Sequence, residues 1–141
     1  MTLTPTNQTN NPFQPGVSQD AFIPDQLIGG DLKVVTHAGR TITGGAFRRG
    51  TVLGKITSGP KTGAFTIAVS TATDGSQVPT NLLVDDVDAS AGDAIGGIYA
   101  MGEFNERAVI LDASMSLATA KAALETQNIY LKSSISAADP S

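Results

Sequence analysis

The stretch AIGGIYAMGEFNERAVIL, residues 94–111, decides the fold class. Its apolar residues fall into two runs, 94–104 and 107–111, separated only by Asn105 and Glu106. A link that short predicts an antiparallel hairpin. Upstream of it, from Gly44 onward, the chain is a succession of short β-type runs divided by turn residues. TVLGKIT (51–57) leads into the Ser58-Gly59-Pro60 break, and AFTIAVS (64–70) follows. There Phe65, Ile67 and Val69 alternate, as one face of a half-buried strand does. TATDGSQVP carries an Asp74-Gly75 turn and Pro79, and NLLVDDV forms another short apolar run before the loop DASAGD.

Downstream, only SLATAKAALETQN reads as helix, with Leu117, Ala120 and Leu124 at i, i+3 and i+7. Ser116 suits its N-cap and Asn128 a left-handed stop. The Leu117, Ala120, Ala123 and Leu124 group fits either an internal core or a seam between subunits. IYLKSSI (129–135) then alternates Ile129 and Leu131 with Tyr130 and Lys132, as a returning strand, and the tail 137–141 is expected to fray. The count is about seven strands and one helix, with no repeat of fixed period.

The other end of the chain is different. Residues 1–20 are rich in Thr, Asn, Gln and Pro and hold too few apolar groups to offset the entropy of ordering them. AFIPDQLIGGDLKVVTHAGRTI (21–42) places Phe22, Ile23, Leu27, Ile28, Leu32, Val34, Val35 and Ile42 between glycines and a proline. It is apolar enough to dock but too broken to form a core alone. Two readings stay open for it, a docking segment or the first strand of the domain.

Composition bounds the rest. One domain fits 141 residues. With 5% aromatic residues, no Trp, 15 Gly and 7 Pro, the core is small and self-association is the natural supplement to it. No Cys is present, which removes disulfides and thiolate zinc sites. Thirteen acidic against nine basic residues give a net charge of -4, which opposes binding to a phosphate backbone, so no nucleic acid partner is expected. The N-terminus has no basic start or apolar core of a secretory signal, and no run approaches the ~20 apolar residues of a membrane span. A soluble protein made in a cytosol, with no membrane partner, is expected.

Catalytic patterns are not met. The single histidine, His37, has no acid spaced to orient it. Asp85, Asp86, Asp88 and Asp93 cluster, and Asp86-x-Asp88-x-Ser90 begins like a calcium loop, but Ala91 stands where the turn needs Gly and Gly97 where it needs Glu. A solvated turn whose carboxylates accept backbone N–H bonds is the expectation, with no metal and no cofactor. Gly92, Gly96, Gly97 and Gly102 do not have the spacing of a phosphate-binding loop and read as places of bulge or close approach. No nucleophile elbow exists, and no enzyme is expected.

Two segments, GGAFRRGTVLGKIT (44–57) and AIGGIYAMGEFNERAVILDA (94–113), occur in that order with a Thr-Asp-Gly turn (73–75) between them and an Ala-rich helix after them. In this combination they resemble the phage head decoration family that includes protein D of phage lambda. The resemblance covers roughly residues 32–136, with 48–56 and 97–109 its most specific parts.

What the resemblance implies is a compact α+β domain, mostly β, a small barrel-like or tulip-shaped fold with one helix near the C-terminus. On that view residues 1–31 are a flexible arm, 32–136 the decoration domain and 137–141 a tail. The family implies a late, structural virion protein, assembled in the host cytoplasm, that stabilises the capsid. It binds as a homotrimer at three-fold positions on the outside of the expanded head, its arm ordering on the major capsid protein.

Physical reading assigns the arm contact to Phe22, Ile23, Leu27, Leu32, Val34 and Val35, with a segment such as 32–36 able to add to an exposed strand edge. Arg48, Arg49, Glu103 and Arg107 are the polar candidates for contacts between subunits. The alternatives are another virion or surface β-module, such as a tail or adhesin domain, which lacks the aromatic platforms that glycans require, and a metal-dependent nucleotide hydrolase, for which only the acids are present.

Overall fold

A computed structural model describes residues 25–133. Among them the chain forms eight strands and one helix: β1 (Val35–Ile42), β2 (Ala46–Phe47), β3 (Val52–Lys55), β4 (Phe65–Ile67), β5 (Pro79–Leu83), β6 (Val87–Asp88), β7 (Ala94–Asn105), α1 (Leu117–Glu125) and β8 (Ile129–Lys132). The main sheet runs β1-β4-β3-β5-β7-β8, and β1 also pairs with β7. That extra pairing closes β1, β4, β3, β5 and β7 into a five-stranded barrel. β2 and β6 make a separate two-stranded ribbon. The expected fold, mostly β with one helix and a barrel, is the fold observed.

Three apolar doublets explain how so small a core holds a barrel. In β3, Leu53 joins one buried cluster and Val52 another; in β5, Leu83 and Leu82 divide the same way, as do Ile98 and Tyr99 in β7. Neighbouring residues on a strand point to opposite faces, so these strands are buried on both. The first cluster takes one residue from each barrel strand, Ile42, Leu53, Phe65, Leu83 and Ile98, together with Ala89. It is the filling of the lumen. The second lies outside the barrel wall, where Val52, Leu82, Tyr99 and Phe104 are covered by Ala120 and Leu124 of α1, by Ile129 and Leu131 of β8, and by Met115 and Leu27.

Close backbone approach fixes the wall in one place. A Cβ on Gly54 of β3 would lie 2.0 Å from the carbonyl oxygen of Ser76. Only hydrogen fits there.

The predicted hairpin of residues 94–111 does not form. β7 continues unbroken to Asn105, and both of its edges are taken: β1 pairs along Ala94–Met101, β5 along Ile98 and Tyr99, and β8 runs parallel from Gly102 to Asn105. With no free edge to return along, the chain turns at 105–108, where the Ala108 amide donates to the Asn105 carbonyl at 3.0 Å. Residues 107–111 then meet the start of β3 instead: the Val52 amide donates to the Ile110 carbonyl (2.9 Å) and the Ile110 amide to that of Gly50 (3.0 Å).

The helix and turns follow the sequence closely. Ser116 Oγ accepts from the Thr119 amide, capping α1, and Asn128 has φ 62° beyond its end. Ala120 and Leu124 are fully buried, which decides for core over seam at those two positions, whereas Leu117 is exposed. In β8 the expected alternation is present, with Ile129 and Leu131 buried and Tyr130 and Lys132 outside. In 64–70, however, it is Ala68 and not Val69 that is buried beside Phe65.

The sequence Asp-x-Ser recurs as one local device. Asp74, Asp88 and Asp112 each accept from the backbone amide and the hydroxyl of the serine two residues on, Ser76, Ser90 and Ser114. Those bonds hold all three carboxylates below their ordinary range, the serine hydroxyl being the first cause.

Candidate functional site

The feature that sets this barrel's surface apart is the path by which the chain enters it. Residues 25–32 form a strap laid along the far end of β7. The Gly29 amide donates to the Glu103 carbonyl (3.0 Å), and the Asn105 amide donates to the Leu27 carbonyl (2.8 Å), so the Ile28–Phe104 pair closes a short antiparallel bridge. Asn105 Nδ2 adds a bond to the Gln26 carbonyl at 3.1 Å.

Three devices hold it. Leu27 is 4% exposed and belongs to the outer core cluster with Phe104 and Tyr99. Gly29 and Gly30 permit the approach: a Cβ on Gly29 would lie 3.1 Å from the Asn105 amide nitrogen, and one on Gly30 would overlap the Glu103 side chain. At the outer end, Arg49 grips Asp25 with both nitrogens, Nη1 to Oδ1 at 2.6 Å and Nη2 to Oδ2 at 2.8 Å, while Nη2 also donates to the Tyr99 hydroxyl at 3.0 Å. A planar fork matches a carboxylate in this way and an ammonium cannot.

The electrostatics agree with the geometry. The Arg49 hydrogen bonds hold Asp25 below the usual carboxylate range, and the same bonds push the Arg49 guanidinium higher still. At the inner end, Lys132 lies 2.5 Å from Glu103 and depresses its carboxyl, and Glu103 Oε2 accepts weakly from the Leu32 amide at 3.4 Å.

The residues singled out from sequence are thus distributed unevenly. Leu27, Arg49 and Glu103 meet at the strap. Leu32 and Val34 are half-buried in the link to β1, and Val35 opens β1, paired with Met101. Phe22 and Ile23 lie outside the described residues. Arg48 and Arg107 are exposed, Arg48 beside a shallow pocket with Asp86 and Asp88.

Sequence reasoning missed Asp25, Gly29, Gly30 and Tyr99. The signals were an Asp two residues before Leu27 and a Gly pair after Ile28. Each is too common to choose a partner, whether 24 residues away, as Arg49 is from Asp25, or more than 70, as Asn105 is from Leu27.

Among the described residues no group of three or more His, Asp or Glu side chains is placed to hold a metal. No helix there is long and apolar enough to cross a membrane. A buried anchor, a bidentate ion pair and a short backbone ladder do mechanical work: they fix where the preceding chain leaves the barrel and resist its removal.

No curated protein matches the chain. The family described as bacteriophage lambda head decoration protein D matches residues 17–129, which includes the strap, the whole barrel and α1. It is a structural capsid-decoration family and not an enzyme family. By this match, which covers most of its length, the chain belongs to the lambda head decoration protein D family.

Proposed function

We propose that the protein is a capsid cement: a homotrimer that binds three-fold sites on the outer surface of the expanded phage head and stabilises it, with the segment before the strap docking on the major capsid protein. It is made late and assembled in the host cytoplasm. The observation that carries this reading is the family match, which begins at residue 17, upstream of the strap. The entry segment is therefore part of the family pattern along with the barrel.

The strap supports a division of labour. Leu27 is spent within the subunit, as an anchor, so docking falls to the residues before it, among them Phe22 and Ile23. A segment of that kind adds backbone bonds and apolar contacts to an exposed edge of its partner. Ordering it costs entropy, which weakens a single contact. Three arms presented together recover ~10²–10⁴ in apparent affinity when the lattice spaces the sites correctly.

Subunit contacts also divide. Arg49 and Glu103 are committed to the strap, whereas Arg48 and Arg107 are exposed and remain for polar contacts across a trimer. Co-sedimentation of the full chain with expanded heads, beside a chain lacking residues 1–24, tests the reading. That truncation removes the docking segment and leaves the strap intact. Loss of binding by the shortened chain is expected, and undiminished binding would move the docking surface onto the barrel.

A further inference from the structure

The barrel does not close along its whole length. β1 meets β4 at a single pair, Ile42 with Phe65. Beyond that level β1 continues beside β7 alone, and the wall gapes. The opening is a pocket of about 350 Å³ lined by His37, Arg40, Lys55, Phe65, Asn81 and Ile98, among others. All five barrel strands contribute to it, so it is the open end of the lumen and not a groove on the outer face.

Its chemistry departs from that of a barrel interior. Phe65 and Ile98, both members of the lumen core, form the floor. The alternation that sends Ile42, Leu53 and Leu83 inward places Arg40, Lys55 and Asn81 on the same side one pleat further along, where Asn81 is half-buried and Arg40 and Lys55 are exposed at the rim of the opening. Small barrels fill such positions with apolar side chains. Here they carry two cations, with His37 beside them.

No carboxylate lines the pocket. Among the described residues, Arg49, Lys61, Lys121 and Lys132 each hold an acidic partner, while Arg40 and Lys55 have none. Asp93, which is not part of the lining, is bound by Lys61 at 2.6 Å. Lys33, Arg48 and Arg107 also lack an acidic partner among the described residues, but Arg40 and Lys55 stand together in one pocket whose lining holds no acid.

We infer that the open end of the barrel is an oxyanion site, in which Arg40 and Lys55, assisted by His37, bind a phosphate or carboxylate group over the Phe65–Ile98 floor. The volume admits a small oxyanion or an acidic side chain. Two cations converging on one concave opening raise the local positive potential above that of either alone. Asn81 Nδ2 donates to the Tyr99 carbonyl at 2.8 Å, which holds the side chain at the wall and uses one of its two N–H groups. This inference is independent of the decoration reading.

The test is a backbone-amide NMR titration of the full chain, first with pyrophosphate and separately with a short glutamate peptide. Saturable shifts confined to the residues around His37, Arg40, Lys55 and Asn81 are expected with at least one probe. Pyrophosphate alone would identify a free phosphate compound as the ligand, and the peptide an acidic segment of a protein. Arg40→Gln and Lys55→Gln should each weaken binding about tenfold, while Lys33→Gln, outside the pocket, should not. Failure of both probes to give saturable shifts overturns the proposal, as does equal binding by the wild type and the two pocket variants.

Discussion

Arg49 binds Asp25 through two parallel hydrogen bonds, joining the residue that opens the strap to the loop before β3, and donates a third bond to the Tyr99 hydroxyl. Both side chains are about a third or more exposed, so the pair contributes ~0–1 kcal/mol to global stability. Its effect is local. Arg49→Gln is expected to move the thermal midpoint little, while hydrogen exchange at the Gly29 and Asn105 amides, which make the strap ladder, accelerates several-fold. Unchanged exchange at those amides would separate the ion pair from the ladder.

The same pair makes the strap acid-sensitive. Asp25 has a folded value below its ordinary 3.8, so the contact stabilises fully above that pH and is lost as the pH falls through the depressed folded value. An NMR titration should show Asp25 protonating below 3.8, with the Leu27 amide, which donates to Asp25 Oδ1, shifting in step. The Arg49→Gln variant should bring that transition back toward 3.8.

Leu27→Ala is the sharper mutation. It removes a side chain only 4% exposed from the cluster around Phe104 and should destabilise by ~2–4 kcal/mol in urea denaturation. Ile28→Ala, one residue on at 39% exposed, should cost less than about 0.5 kcal/mol. Equal costs would place Leu27 outside the core.

Three glycines give a graded series. Gly54→Ala forces a Cβ into the Ser76 backbone, which cannot yield cheaply, and should destabilise by roughly 3 kcal/mol or more. Gly30→Ala collides with the Glu103 side chain, which can move at the expense of its Lys132 and Leu32 contacts, so ~1–2 kcal/mol is expected. A Cβ on Gly92 meets nothing within 4 Å, and Gly92→Ala should be neutral or stabilise by up to ~1 kcal/mol. Thermal unfolding of the three variants decides the order.

What the sequence shows and what it conceals divide by distance along the chain. Local devices are readable: the Ser116 cap, the Asn128 stop, the Asp74-Gly75 turn and the alternation of Ile129 to Lys132 all depend on neighbours within a few residues. The partner of a strand does not. Residues 94–111 hold two apolar runs with a short link, the pattern of a hairpin, yet β7 has its edges filled by β1, β5 and β8, and none of these partners lies in its immediate neighbourhood along the chain. The strap shows the same limit. Leu27, Arg49 and Glu103 are visible as apolar or charged residues of note, but only the folded register brings them to one end of β7. The double burial of β3, β5 and β7 was present as the doublets Val52-Leu53, Leu82-Leu83 and Ile98-Tyr99, and it is the third layer, α1 with β8, that gives them meaning.

The central claim is that this barrel and its entry segment decorate a phage head. The direct measurement is co-sedimentation of the purified chain with matched expanded and unexpanded heads across a concentration series. Saturable binding to expanded heads only, at three copies for each three-fold site, is the predicted result. Absence of binding to either head, or equal binding to both, would contradict it.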